Sequence, residues 1–412
     1  MIERVKSPRR LRGTVSPPGD KSISHRALLL NAVADGRAEI ENLGTGADIG
    51  STAACLQSLG VEIGEGVVHG VGLGGLRKPS GPLDCGNSGT TMRLLAGLLA
   101  GQPFESMLVG DESLARRPMD RVVEPLRKMG AHAELDPLRV GGRPLHGIEY
   151  SMPVASAQVK SAILLAGLRA TGTTRVVERV PTRDHTELML EAMGAPLTVV
   201  DRTVSVETTD RLQPLDLRIP GDISGAAFWI VAGSFHPDAS LEVLEVGVNP
   251  TRKAILELLP AKVMRLREVG REPVADLQVG TIPAAPAWDW DASWSAALID
   301  ELPVLAVAAT QLRGTTRIAG AAELRVKESD RIAAMAKGLG AMGAQIRERE
   351  DGWEITGPTV LTGARVSAFD DHRVAMALAV AGLLAGGTTE IEGAEHAAIS
   401  YPNFWRDLES LC

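Results

Sequence analysis

Residues 18–34 read PGDKSISHRALLLNAVA, a short polar entry that runs into small apolar residues. Pro and Gly punctuate the chain, Asp is a favoured N-cap, and the apolar run suits a buried helix. The same plan returns five times. The later starts read GNSGTTMRLLAGLLA from Gly86, SAQVKSAILLAG from Ser156, GDISGAAFWIVAG from Gly221, DELPVLAVAA from Asp300 and DDHRVAMALAVAG from Asp370. A second unit follows most of them, a helix that ends on glycine and leads into a strand. Its copies are SLGVEI from Ser58, KMGAHAEL from Lys128, AMGAPLTV from Ala192 and AMGAQIRE from Ala341. The fourth copy, LLPAKVMRL from Leu258, lacks the glycine. Solenoid units run to roughly 20–45 residues, shorter than this spacing. The pattern predicts an α/β fold of six strand–helix–strand–helix–strand repeats.

Pro18-Gly19-Asp20-Lys21-Ser22 and Pro220-Gly221-Asp222-Ile223-Ser224 are near copies. Three repeats begin between the first copy and the second, and three from the second onward. A chain of 412 residues is also too long for one core. Two pseudo-equivalent domains are therefore expected, residues 20–220 in one and residues 1–16 with 221–412 in the other. The chain crosses between them twice, at the Pro-Gly elements.

Hydrophobic residues make up 44% and charged residues 23%, ordinary for a globular protein. Aromatics are only 3% while Gly is 44 residues, so packing must rest on Ala, Leu, Val and Gly. A net charge of −8 gives no footprint for nucleic acid or an anionic membrane. No apolar run reaches about 18 residues without a charge or a breaker, so no membrane span is expected. The start, MIERVKSPRRLRG, has no apolar core of a secretory signal. Cys55, Cys85 and Cys412 form no metal-binding spacing, and free thiols point to a reducing, cytoplasmic setting. Neither a metal nor a cofactor is expected.

Lys21, Arg26, Arg93, Lys160 and Arg373 follow four of the six starts within a turn or two. Helix N-termini with basic side chains make anion sites. Lys21, Ser22, His25 and Arg26 lie at helical spacing and suit a phosphate or carboxylate. Gly86–Thr91 is a hydroxyl cluster flanked by glycines, without the Lys-Ser/Thr of a Walker A loop. Arg116-Arg117-Pro118-Met119-Asp120 ends a strand and starts a helix. Residues 325–331, RVKESDR, place Lys327 and Glu328 beside Arg331 and offer an acid/base pair. Asp300 and Asp370-Asp371 open helices, where carboxylates are favourable in any case.

In this order, PGDKSISHRA, GNSGTTMR, RRPMD, SAQVKSAILLAGL, DELPVLAVAA, RVKESDRI and DDHRVAMA resemble the 5-enolpyruvylshikimate-3-phosphate synthase (EPSP synthase) family, the 3-phosphoshikimate 1-carboxyvinyltransferases. The likeness runs from about Lys21 to Trp405. It implies the enolpyruvyl transferase fold, an inside-out α/β barrel of two domains. Each domain holds three βαβαββ units, and the active site lies in the cleft between them. The implied reaction moves the enolpyruvyl group of phosphoenolpyruvate to the 5-hydroxyl of shikimate 3-phosphate and releases phosphate, in chorismate and aromatic amino-acid biosynthesis. Both partners are small anions, and the family is monomeric and a glyphosate target. By resemblance, Lys21, Ser22, Arg26, Ser156, Ala157, Gln158, Thr182, Asp300 and Lys327 bind shikimate 3-phosphate. Lys21, Gly89, Arg117, Gln158, Lys327, Arg331 and Arg373 bind phosphoenolpyruvate. Asp300, Lys327 and Glu328 carry protons, with acid and base unassigned among them.

The chain departs from the pattern at two places. Glu323 stands where the family often has Asn, and Ile399 where some members carry a phosphoenolpyruvate-binding Lys. The SAQ form matches the subset that also lacks that Lys. UDP-N-acetylglucosamine enolpyruvyl transferase, the sister enzyme, usually carries a cysteine in the loop before an Arg-Pro pair; residues 110–118 hold none. A non-catalytic phosphate-binding protein of the same fold is the other alternative, and it would not need Asp300, Lys327 and Glu328 together.

Overall fold

The computed structural model describes residues 1–290 and 292–412. The chain divides into two compact units. One is Gly19–Ile219 with the hairpin tip Glu268–Glu272, and the other is Met1–Pro18, Pro220–Arg267 and Pro273–Cys412.

The Gly19–Ile219 unit contains three four-stranded sheets with one plan. Their orders are Leu217–Arg218, Asp35–Glu41, Val67–Val71, Glu62–Gly64; Leu83–Asp84, Glu105–Val109, Leu138–Gly141, His132–Glu134; and Glu149–Ser151, Thr174–Val177, Thr203–Val206, Leu197–Val200. In each, the first pair is parallel and the other two pairs are antiparallel. The parallel pairs of the second and third sheets flank the helices Gly89–Ala100 and Ala157–Gly167, as a βαβ crossover requires.

The second unit repeats the plan with two strand exchanges. Leu11–Val15 precedes the first entry helix in sequence, yet pairs in parallel with Ala239–Gly247. Leu217–Arg218 precedes the fourth helix, yet pairs with Asp35–Glu41. Each crossing thus leaves its strand behind as the first strand of a sheet. The last sheet has three strands, in which Arg365–Ser367 runs parallel to Thr388–Glu392 and the N-terminal Ile2–Lys6 supplies the antiparallel neighbour. Asp289–Trp290, Gly314–Ile318, Gly352–Gly357 and Gln345–Arg349 complete the fifth repeat.

The six entry helices form as read, at Lys21–Ala32, Gly89–Ala100, Ala157–Gly167, Ile223–Phe235, Leu302–Ala309 and His372–Leu383. They are buried nearly all round, while strands such as Asp35–Glu41 bury alternate residues only. Helices inside and sheets outside explain the shortage of polar positions in these runs. Small residues let the helices close up: a Cβ on Gly97 would lie 2.3 Å from the Ala162 carbonyl oxygen. Large side chains are concentrated at a few places. Trp229 is fully buried, stacks on Phe404 at 5.0 Å and donates Nε1–H to the Tyr401 hydroxyl at 3.1 Å. Burying a side chain of this kind contributes about 1.5–3 kcal/mol. Trp290 is buried between Trp288 and Trp294 in a stacked row.

The glycine signal has a backbone cause. Gly60, Gly130, Gly194 and Gly343 have φ of +90°, +97°, +79° and +90°. Each closes its helix with the same two bonds, such as Val61 N–H to Leu56 O at 3.1 Å and Gly60 N–H to Gln57 O at 3.0 Å. That is the Schellman arrangement, which needs the left-handed conformation glycine adopts without cost from a Cβ. Where the glycine is missing, the helix shrinks to the single turn Ile255–Leu258 and Leu259 is already extended.

Candidate active site

In the Gly19–Ile219 unit, three helix N-termini carry their own side-chain caps. Asp20, Ser88 and Ser156 accept from the backbone N–H of Ile23, Thr91 and Val159. These caps fix the first turns that bear Lys21, Gly89 and Gln158. Lys21 Nζ lies 2.6 Å from Asp48 Oδ2, so the cation is held rather than swinging free in solvent. Arg93 Nη1 donates to Gln158 Oε1, and Gln158 Nε2 donates to Thr90 Oγ1 at 2.9 Å. Arg117 Nη2 donates to Asn87 Oδ1. A Cβ added to Gly89 would lie 3.0 Å from Arg93 Nη1 and 3.5 Å from Arg117 Nη1. Gly89, Arg117 and Gln158, expected to act together, are therefore neighbours, with Arg93 added to the group.

Two of the expected cations lie deeper than a ligand would reach directly. Arg26 is buried and donates to Ser22 O at 2.8 Å, Thr186 Oγ1 at 2.6 Å and Ser161 Oγ at 2.9 Å. Burial pulls its pKa down to about 10, so it stays charged. Lys160 turns into the protein and pairs with Glu178 and Glu187, so for this residue the anion-site reading of basic helix starts fails. Glu178, just past the strand Thr174–Val177, and Glu187, in the helix His185–Ala192, supply those carboxylates. Thr182 donates both its N–H and its hydroxyl to Glu178 Oε1, at 3.0 and 2.5 Å. Arg183 lies beside Ser22, with Nη1 3.4 Å from Oγ. Ser156 and Ala157 stand at the cap and first position of the third helix.

The second unit holds the remaining residues in one linked chain. Asp371 caps the last entry helix by accepting from Arg373 N–H at 2.8 Å. It also accepts from Arg331 Nε at 2.8 Å and from the Ser329 hydroxyl at 3.1 Å. Arg331 Nη2 reaches Glu328 Oε2 at 2.6 Å. Arg331 is 1% exposed, and though burial pulls its pKa down, Asp371 and Glu328 outweigh this and raise it. Arg373 donates Nη1–H to the Asp300 carbonyl at 2.9 Å, and its Nε lies 4.0 Å from Asp300 Oδ1. Asp300 is followed by Glu301, which is buried and accepts from Ser224 Oγ and from Arg252 at 3.3 Å. Lys327 and Glu328 diverge: Lys327 Nζ lies 3.4 Å from Glu323 Oε1, whereas Glu328 points to Arg331. Ile399 is half-buried at the end of a short 3₁₀ turn, Ala394–Ile399.

His25 and His372 sit behind these two groups. Burial lowers their pKa to about 3 and about 4, against the smaller opposing pull of Asp48 and Asp371. Both rings are neutral at pH 7. The unfolded chain takes up their protons near pH 6.5 and the folded chain does not, so stability falls as pH drops from about 6.5 toward 4. Thermal midpoints measured across that window should decline, and His25→Gln should flatten the slope. A flat profile in the unsubstituted protein would contradict the burial argument.

Asp48, Glu178 and Arg183 are residues sequence reasoning missed, and Asp371, read there only as a favourable helix opener, holds Arg331. A buried Asp inside the small-residue stretch GTGADIG was the available signal for Asp48. Among the described residues, no cluster of His, Cys, Asp and Glu could hold a metal, and no helix is long and apolar enough to cross a membrane. Cys55 and Cys85 are buried free thiols, and Cys412 is exposed.

Residues 5–408 match the family model described as EPSP synthase (3-phosphoshikimate 1-carboxyvinyltransferase). A protein of that name from Gloeobacter violaceus is 54% identical, covering 97% of this chain and 96% of its own length. Another from Salinibacter ruber is 50% identical over 100% and 99%. The EPSP synthase structure from Acinetobacter baumannii superposes with a TM-score of 0.89 at 38% identity, covering 100% of this chain and 98% of that one. The enolpyruvyl transferase NikO from Streptomyces tendae, at 19% identity and a TM-score of 0.81, shares the fold. Matched along nearly its whole length by model, relatives and structure alike, the chain belongs to the EPSP synthase family.

Proposed function

We propose that the two residue groups described above serve one reaction, the transfer of the enolpyruvyl group of phosphoenolpyruvate to the 5-hydroxyl of shikimate 3-phosphate. The 5-oxygen attacks C2 of phosphoenolpyruvate while its C3 methylene gains a proton, giving a tetrahedral adduct. Loss of phosphate from C2 and of a proton from C3 restores the enol ether. Two proton carriers must therefore act at different atoms. The observation that carries the reading is that Asp300 and Glu328 are held by different cations, Arg373 and Arg331. Asp300 takes the hydroxyl proton, and Glu328 with Lys327 delivers and removes the proton at C3.

Both substrates are polyanions. A cation at about 4 Å from an anionic charge contributes roughly 4 kcal/mol at an effective dielectric of 20, before desolvation. Lys21, Ser22, Arg26, Ser156, Ala157, Gln158 and Thr182 hold shikimate 3-phosphate, with Arg183 as an added cation beside Ser22. Asp300 and Lys327 are assigned to the same substrate. Lys21, Gly89, Arg117, Gln158, Lys327, Arg331 and Arg373 hold phosphoenolpyruvate. Arg26 and Arg331, at 3% and 1% exposure, supply their charge through the wall of the site. A cytoplasmic monomer fits this chemistry. Phosphate release from phosphoenolpyruvate, measured with shikimate 3-phosphate or UDP-N-acetylglucosamine as acceptor, tests the assignment. The sister reaction is not favoured, because the loop 110–118 has no cysteine.

Gly89 also makes the protein sensitive to glyphosate in this reading. A methyl at Gly89 forces the Arg93 guanidinium to move by a few tenths of an ångström and narrows the space beside Arg117. The longer inhibitor loses more than phosphoenolpyruvate does. Gly89→Ala should raise the glyphosate Ki by about tenfold or more, and the phosphoenolpyruvate KM by less. Steady-state inhibition on the purified pair, with melting temperatures, checks it; an equal rise in both constants would sink the steric argument.

A further inference from the structure

Lys160 and Glu178 have no place in the chemistry above, yet they form a buried ion pair in the Gly19–Ile219 unit, with Lys160 1% and Glu178 8% exposed. Lys160 lies one turn into the helix that opens with Ser156, Ala157 and Gln158. Its ammonium has three N–H donors and three acceptors: Glu187 Oε1 at 2.5 Å, Glu178 Oε2 at 3.1 Å and the Thr182 carbonyl at 3.4 Å. No donor remains for a ligand. Glu178 in turn accepts the N–H and the hydroxyl of Thr182 on its other oxygen. One residue, Thr182, is therefore gripped at its N–H, its hydroxyl and its carbonyl by one buried pair.

Residues 178–184 lie between the strand Thr174–Val177 and the helix His185–Ala192 and belong to neither. Glu178 N–H bonds to Arg202 O, and residues 181–184 form no regular element. This segment brings Arg183 to Ser22, at the first entry helix. A buried pair of charges costs desolvation and is weak evidence for stability, but it can specify a geometry. Glu187 shows the cost: burial raises its pKa despite Lys160 beside it.

We propose that Lys160 and Glu178 are positioning residues for recognition of the phosphate end of shikimate 3-phosphate, acting by clamping the Thr182–Arg183 segment against Ser22. The inference rests on the functional reading above. Glu178→Ala is the sharpest variant, because Lys160 keeps Glu187 as a partner while Thr182 loses its clamp. It should raise the Kd and KM for shikimate 3-phosphate by about tenfold or more, with kcat and the phosphoenolpyruvate KM within about threefold. Affinity for shikimate without its phosphate, measured by calorimetry, should change by less than about threefold. A merely structural role would weaken both ligands alike. Glu178→Gln should recover most of the loss, since an amide oxygen accepts the same two bonds. Should Glu178→Ala not fold, Glu178→Asp keeps the charge and shortens the reach by one carbon, and gives the same split at smaller size. Unchanged shikimate 3-phosphate affinity in a folded variant, or equal losses for the two ligands, would overturn the proposal. Wild-type protein without turnover would instead defeat the functional reading, so the two failures are distinguishable.

Discussion

Asp300→Ala and Glu328→Gln should each lower kcat by about 10²–10⁴-fold, with much smaller changes in the Kd of either substrate. Glu328 sits 2.6 Å from the Arg331 guanidinium, and the glutamine amide keeps an oxygen there as acceptor. Shape and binding charge elsewhere are preserved, while the capacity to carry a proton is lost. At Asp300, the backbone carbonyl still receives Arg373, so the cation stays in place when the carboxylate is removed. Lys327→Met should behave differently and lose binding together with turnover, because in the proposed reaction its charge serves the substrates as well as the proton. Rapid-quench turnover and equilibrium binding on the same preparations separate these cases. Near-normal turnover in either carboxylate variant would remove that residue from the mechanism.

Arg331→Met should be the most destabilising of the site substitutions, by about 3–5 kcal/mol. Arg331 is 1% exposed and joins Asp371, itself fully buried, to Glu328. Burial pushes the Asp371 pKa up, but the Arg331 guanidinium outweighs it and holds the carboxyl below the usual range. Without the guanidinium, Asp371 is a buried carboxylate at a helix N-terminus, with Ser329 and the backbone as its partners. The loss should be larger at pH 7 than at pH 4, where Asp371 can protonate once its cation is gone. Thermal unfolding at the two pH values measures this. Equal losses at both would show that packing, rather than charge, is what Arg331 contributes.

The repeat architecture was legible because its signals are local. Each entry helix announces itself by a cap and an apolar run, and four of the second helices by a glycine that must adopt positive φ. The absence of that glycine at Leu258 even marks the copy that shrinks to one turn. The strand exchanges at the two crossings were not legible. Leu11–Val15 and Leu217–Arg218 carry no sign of which sheet they join, since a parallel partner lies far along the chain. The same limit applies to the site. Residue types such as Asp300, Lys327 and Arg373 could be named from motifs, but partners set by the fold could not. Arg26 meets Thr186 and Ser161, Lys21 meets Asp48, and Arg331 meets Asp371 through tertiary packing alone. Lys160 shows the consequence most clearly: a lysine at a helix start reads as a ligand for an anion, and two carboxylates from elsewhere turn it into a buried clamp.

The most direct test of the assigned chemistry is phosphate release by the purified protein, followed together with formation of the enolpyruvyl ether. Phosphate and 5-enolpyruvylshikimate 3-phosphate should appear in equal amounts, and only when phosphoenolpyruvate and shikimate 3-phosphate are both present. Phosphate release that proceeds without shikimate 3-phosphate, or with UDP-N-acetylglucosamine in its place, would contradict it.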